Sequence, residues 1–215
     1  MTKQNITGEG MWLVHKPVGM SSFGAVARIR RLTGIRKVGH AGTLDPQAEG
    51  LMIILVGKAY TRQADSFLKL DKVYEVEATL GQTSTTGDRE GQRTAVSDAR
   101  PTLEQIKTVL GGFMGDIKQT PPIYSAIKVG GQRAYKLARA GKSVVLEERS
   151  VTVHQIELMS YTYPQLTFRA HVSSGTYVRS LVEDIGSRLG TGAYMSALVR
   201  TAIGTHKLTD ATHLD

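Results

Sequence analysis

The chain contains no cysteine, which excludes disulfides, thiolate metal centres and cysteine nucleophiles together. Long apolar runs are missing as well. The longest, LMIILV at 51–56, is far too short to cross a bilayer, and the polar start MTKQNITGEG has no signal-peptide core. A cytoplasmic protein with no membrane attachment is the expectation. Several chemistries also lack their motifs. No GK[ST] closes a Walker loop, no GxGxxG opens a helix, and no GxSxG elbow occurs. The histidines, at 15, 40, 154, 171, 206 and 213, form no HExxH or close ligand cluster, so no metal is expected.

Acidic residues are absent from two stretches, and the composition turns on these gaps. The net charge is +8, from 27 Lys plus Arg against 19 Asp plus Glu. Between Met11 and Leu44 lie Lys16, Arg28, Arg30, Arg31, Arg36 and Lys37 with no acid. Between Lys118 and Leu146 lie Lys118, Lys128, Arg133, Lys136, Arg139 and Lys142, again with none. Either these are solvated faces or they meet a polyanion, whose phosphates each add salt-dependent affinity without fixing a base. Charge alone does not separate RNA from DNA.

What is present reads as a mixed architecture. Trp12–Val14 is a short strand stopped at Lys16–Pro17. Ser21 or Ser22 caps a helix over SFGAVARIRRLTG, with Val26, Ile29 and Leu32 inward, and Gly34 ends it. RKVGHAGTLDPQAEG at 36–50 has little periodicity and reads as a glycine-rich loop leading into LMIILV, a strand buried on both faces. Residues 72–80 alternate as a one-face-covered strand, with Tyr74, Val76, Ala78 and Leu80 on the covered side. GQTSTTGDREGQ is a loop or irregular hairpin. Thr102 and Gln105 form a capping box for a helix with Leu103, Ile106, Leu110 and Phe113 inward. A short helix at RAYKLARAG ends at Gly141, strands follow near 151–158 and 166–172, and a helix spans 177–189 with Val178, Leu181, Val182, Ile185 and Leu189 inward. A last strand lies near Val199–Ile203. The expected class is α+β, a mixed central sheet flanked by helices, in one domain or two close lobes.

Four residues could carry chemistry. Asp45, in GTLDP, is either a turn aspartate capping amides or a carboxylate kept ionised by cationic surroundings and able to act as nucleophile or base. Arg179 stands in the first turn of its helix, where the dipole disfavours a cation. It is either a surface arginine or one aimed at a carboxylate, for which Asp45 is the chosen partner. Tyr74 is a core tyrosine or a ring for stacking a flipped base. His40 is locally satisfied or helps prise a nucleotide out. A glycosidase-type carboxylate pair would need a second acid near Asp45; the only close candidate is Glu49, one helical turn away, and that pairing is disfavoured.

These segments together resemble the TruB family of transfer-RNA pseudouridine synthases, in matching order over about residues 11–204. GHAGTLDP at 39–46 is similar to the family's catalytic motif, DKVYEVEATLG at 71–81 to its second and SSGTYVRSLVEDIG at 173–186 to its third. HKPVGMSS at 15–22, PPIYSAIKVGGQRAYKLARAG at 121–141 and AYMSALVR also match. The resemblance implies the pseudouridine synthase fold with RNA-binding loops, and isomerisation of the T-loop uridine of tRNA by base flipping. It implies Asp45, Tyr74 and Arg179 as catalytic residues, and His40, Leu198, Lys16, Pro17, Gly42 and Thr43 as substrate-binding. Arg28, Arg31, Arg36, Lys37, Lys128 and Arg133 are the expected contacts to the RNA backbone. No cofactor is implied, the partner is the tRNA T stem-loop, and a monomer without an obligate protein partner is expected. Residues 1–215 are expected to form the catalytic domain without the C-terminal PUA domain of common bacterial members. Glu49 and Tyr60 depart from the family's usual smaller or hydroxyl residues. Glu49 brings negative charge to a loop that approaches phosphates. Two alternatives stay open: a binding or folding protein on the same fold, and a synthase for another structured RNA.

Overall fold

The computed structural model describes residues 6–125, 127–140, 144 and 146–214. The elements, in order, are β1 (Gly10–Lys16), α1 (Ser22–Thr33), β2 (Val38–Ala41), β3 (Glu49–Val56), α2 (Lys58–Thr61), α3 (Ala64–Leu68), β4 (Lys72–Leu80), β5 (Gln82–Ser84) and β6 (Arg93–Ala95). There follow α4 (Leu103–Gly111), β7 (Gly115–Gln119), β8 (Lys128–Val129), β9 (Gln132–Arg133), α5 (Ala134–Arg139), β10 (Arg149–Thr162), β11 (Gln165–Val172), α6 (Val178–Arg188), β12 (Ala193–Ile203), β13 (His206–Lys207) and β14 (Thr212–His213). The class is the expected α+β, with a mixed sheet. The chain divides into two compact units, Met1–Glu75 with Leu198–Asp215, and Val76–Ala197.

In the first unit the strands run β14-β1-β3-β12, with β2 also paired to β3. β1 and β3 are antiparallel from Gly10↔Val56 to Lys16↔Gly50, while β3 and β12 run parallel through Val199↔Glu49 and Arg200↔Gly50. Leu51 through Val56 are completely buried, which is why a continuous apolar run suits this strand. Each such side chain contributes about 1.5–3 kcal/mol relative to exposure. On one face Leu51, Ile53 and Leu55 pack with Ala41 and Ile203, and with Tyr60, Phe67 and Leu70. Ser21 caps α1 by accepting from the Gly24 amide, and Gly34, at φ 69°, closes it with its amide on the Arg30 carbonyl. Val26 and Ile29 are buried as expected, but Leu32 is not: it is 56% exposed, and Ala25 takes the inward place. The expected loop at 36–50 is also shorter. Val38–Ala41 pairs antiparallel with β3, a strand of four residues being too brief to display alternation.

In the second unit β4, β11, β10 and β7 are successive neighbours. The burial of β4 alternates along its length. β10 and β11 form a long antiparallel hairpin joined across Tyr163–Pro164. The polar segment after β4 is a hairpin, β5 with β6. Thr102 and Gln105 close the capping box of α4 reciprocally, at 2.7 and 3.3 Å. Ile106, Leu110 and Phe113 are buried, whereas Leu103 is 46% exposed: as the first residue of α4 it precedes the turn that meets the core. Val178, Leu181, Val182 and Ile185 of α6 are buried and Leu189 is half-buried. Gly141 and Lys142 lie outside the described residues. Histidines that no sequence motif connects meet in pairs, His15 with His213 at 4.5 Å between ring centroids and His154 with His171 at 4.8 Å.

Candidate active site

Asp45 lies half-buried in the 42–48 connection of the first unit, and that connection is tied down chiefly through its own backbone. Lys16 ends β1 with no exposed surface. Its Nζ donates to the carbonyls of Ala48 at 2.5 Å, Met20 at 2.7 Å and Pro17 at 2.9 Å. Those bonds use the three ammonium protons, and the Pro46 carbonyl at 3.5 Å is a marginal fourth contact. Burial pushes the Lys16 pKa down to about 8, against the attraction of Asp45 and Glu49. Lys16 therefore joins the chain before α1 to the chain just after Asp45. The Gly19 amide reinforces that joint by donating to the Pro46 carbonyl at 2.8 Å.

A second cation holds the other end. Arg200, 1% exposed on β12, donates from Nε to the Leu51 carbonyl at 2.7 Å, from Nη2 to Gly42 at 3.2 Å and from Nη1 to Thr43 at 3.4 Å. Two glycines make this approach possible. Gly42 has φ 97° and Gly50 φ 113°, conformations that favour glycine. A Cβ at Gly50 would overlap the Arg200 backbone, with the Arg200 nitrogen only 2.6 Å away. Between the two cations Ser22 fastens the residue before Asp45: its Oγ donates to the Leu44 carbonyl at 2.8 Å and accepts from the Leu44 amide at 2.9 Å. Such bonds are worth about 0.5–1.5 kcal/mol each, and more when a charged donor is involved.

The remaining expected residues of this unit surround that connection. His40, on β2, is half-buried; burial, followed by repulsion from Arg200, lowers its pKa, so the ring is neutral near pH 7. Phe23 of α1 meets it edge-on, with centroids 5.8 Å apart and planes at 81°. Pro17 and Thr43 are in the connecting segments, Pro17 half-buried and Thr43 exposed. Leu198 is 8% exposed and lies two residues before Arg200 on β12, hence on the same side of the strand. Tyr74 is 8% exposed on β4, next to Val73, whose carbonyl accepts from Thr201 of β12 at 3.3 Å. Glu49 stands with its Oε2 3.8 Å from His15 Nε2, so its charge is opposed by a partner whenever that histidine is protonated.

Arg179 belongs to the second unit, on the first turn of α6. It is 7% exposed and donates to the carbonyls of Thr86 at 3.0 Å and Tyr124 at 2.9 Å. Its Nη1 is 3.7 Å from Asp88 Oδ2, a Coulombic contact longer than a hydrogen bond. Asp88 is fixed by the Thr86 hydroxyl at 2.6 Å and the Glu90 amide at 3.0 Å. Burial raises the Glu183 carboxyl, with Arg179 opposing and Asp184 and Asp88 adding to the rise. Asp88 was not singled out in the sequence, where it reads as one more acid of a polar hairpin. Ser22 reads in the sequence only as a possible helix cap, Arg200 is not singled out there at all, and no local pattern marks a buried arginine in a strand.

Of the expected backbone contacts, Arg31, Arg36, Lys37 and Arg133 are exposed and Arg28 is half-buried. The Lys128 side chain lies outside the described residues.

Comparison with known proteins accounts for nearly the whole length. Residues 30–178 match the TruB family pseudouridylate synthase N-terminal domain, and residues 179–215 match the tRNA pseudouridylate synthase B C-terminal domain. The tRNA pseudouridine synthase B of Protochlamydia amoebophila (strain UWE25) is 48% identical over 196 residues, covering 91% of this chain and 74% of the relative. That of Opitutus terrae is 46% identical over 208 residues, covering 96% of this chain and 86% of the relative. Among solved structures, a Cbf5-Nop10-Gar1 complex matches with a TM-score of 0.73 and 30% identity over 94% of this chain, which spans 51% of that one. A match over most of the chain, with the Asp45 connection inside it, makes this protein a member of the TruB family of pseudouridylate synthases.

Proposed function

We propose that this chain isomerises the T-loop uridine of tRNA to pseudouridine, with the Asp45 carboxylate as nucleophile. The observation that carries the reading is the immobilised 42–48 connection. Lys16, Ser22 and Arg200 hold the backbone on both sides of Asp45, which is what a nucleophile needs if its approach is not to be lost in loop motion. Curated relatives at 46–48% identity that are named as tRNA pseudouridine synthases support the substrate class.

The roles follow the chemistry. Basic groups of α1 and its C-terminal side, Arg28, Arg31, Arg36 and Lys37, together with Lys128 and Arg133, meet the phosphates of the T stem-loop. His40, neutral near pH 7, helps displace the uridine, whose base stacks on Tyr74 against Leu198. Asp45 attacks the ribose C1′ as the bond from C1′ to N1 breaks, leaving an ester and a uracil anion; the uracil turns, C5 bonds to C1′ as the Asp45 carboxylate departs, and the C5 proton is lost to solvent while N1 takes one up. In the glycal form of the route, Tyr74 takes the sugar proton. Arg179 is the third catalytic residue that the family resemblance implies; Pro17, Gly42 and Thr43 support the base and its sugar, with Lys16 acting behind them through the backbone it holds. The product is an isomer, with no electron or group transferred outward, so the reaction requires no cofactor. Residues about 11–204 form the catalytic core of a monomer that acts in the cytoplasm without an obligate protein partner. No helix among the described residues is long and apolar enough to cross a membrane.

The test is tritium release from C5-labelled uridine in unmodified tRNA, with the modified position mapped. Release at the T-loop uridine by the wild-type chain, and none by Asp45→Ala, is the expected result. Release at another position would replace the substrate, and undiminished release by the variant would remove the mechanism.

A further inference from the structure

Phe23 is the most exposed large apolar side chain of the described residues, at 70%, and its location is unusual for a ring left in water. It follows Ser22, which is bonded in both directions to Leu44. The aromatic ring and the nucleophile Asp45 are thus each one residue from the same anchor. Its edge contact with His40 leaves most of the ring open. Along α1 it shares a stripe with Ala27 and Arg30, since i, i+4 and i+7 fall on one helical face. Ala27, Arg30 and Arg31 are exposed as well. Phe23 and Arg30 are two turns apart, about 10.5 Å along the axis. No acid occurs from Met11 to Leu44.

An isolated exposed apolar residue is ordinary and needs no explanation. An exposed ring held against a neutral imidazole, at the start of an acid-free basic helix and beside a fixed nucleophile, has a chemical complement in RNA. A base offers a flat face for the ring, and its phosphates offer charge for the arginines.

We infer that Phe23 is a stacking residue for an unpaired nucleobase of the RNA substrate, one near the uridine presented to Asp45, and that it contributes to which loop is accepted. The inference rests on the proposed uridine isomerisation. It assigns Phe23 to positioning and affinity and gives it no part in the bond changes.

The experiment is a double-mutant cycle between protein and RNA. Affinity for a T-arm hairpin is measured with the wild-type chain, Phe23→Ala, Phe23→Leu and Phe23→Trp, alongside a set of hairpins made abasic at one loop nucleotide at a time. Loss of one stacked base weakens binding by about tenfold. Phe23→Ala and Phe23→Leu are expected to show that loss and Phe23→Trp to retain affinity, with the melting temperature unchanged in all three because the ring is exposed. For one abasic hairpin the penalty of Phe23→Ala should vanish, identifying the base. Wild-type affinity in Phe23→Ala, full affinity in Phe23→Leu, or additive losses at every loop nucleotide would overturn the inference while leaving turnover and the proposed function intact. Absence of wild-type turnover on tRNA would instead overturn the functional reading, and this inference with it.

Discussion

The two units hold their functional loops with the same device and different counterions. In the first, Lys16 and Arg200 are buried cations whose hydrogen atoms go to backbone carbonyls, and the acid they flank, Asp45, lies in the loop they hold. In the second, Arg179 is also buried and also donates to two carbonyls, but an acid of its own unit, Asp88, stands 3.7 Å away. A buried cation satisfied by carbonyl dipoles retains its positive field; one facing a carboxylate has part of that field cancelled. The first unit thus presents positive charge around Asp45, the acid proposed to react. The second is built to keep an arginine in a fixed attitude.

Substitutions can break this contrast. The largest effect is expected for Asp45→Ala, a loss of roughly 10⁴-fold or more in turnover, as for other removed nucleophiles. RNA affinity should change by less than about threefold, since a side chain acting in bond changes adds little to phosphate binding; tritium release and filter binding read the two. Next is Arg200→Met, which strands the carbonyls of Gly42, Thr43 and Leu51. It should destabilise the fold by about 3 kcal/mol or more in denaturant titration and lower turnover in proportion to the folded fraction and beyond it.

Lys16 sharpens the contrast through pH. Its folded pKa, near 8, lies below the ordinary lysine value, so between the two the unfolded chain binds more protons. By linkage Lys16 then lets stability rise with pH over that interval. Turnover should move the opposite way, falling above about pH 8 as the positive charge beside Asp45 is lost; a pH–rate profile that stays flat through this range would contradict that role. Ser22→Ala should cost about 1–2 kcal/mol for its two bonds to Leu44 and reduce turnover more than RNA binding. Thr102→Ala, at the α4 capping box, is the smallest: about 1 kcal/mol of stability with turnover per folded molecule unchanged.

Local periodicity made much of the fold legible. LMIILV could be read as a buried strand because every side chain in it is apolar, and β4 because its pleat alternates. The ends of α1 and α4 were readable because serine, threonine and glycine act on their immediate neighbours. Leu32 and Leu103 misled, since an apolar residue near a helix end satisfies the period without reaching the core. β2 was hidden because four residues around a glycine make no pattern. Asp45 could be singled out from its acid-free surroundings and motif. Arg200 could not, because its partners are carbonyls some 150 positions earlier, and a carbonyl leaves no trace in a residue's identity.

The reciprocal bond between Ser22 and Leu44 has a consequence in time. The Leu44 amide is buried and engaged, and its partner begins α1. Exchange of that proton with solvent therefore requires the serine hydroxyl to rotate away from Leu44 or the start of α1 to open. The segment carrying Asp45 is expected to part from its anchor in rare excursions, where an untethered glycine-rich loop would fluctuate in nanoseconds to microseconds. Between those excursions the substrate meets one shape.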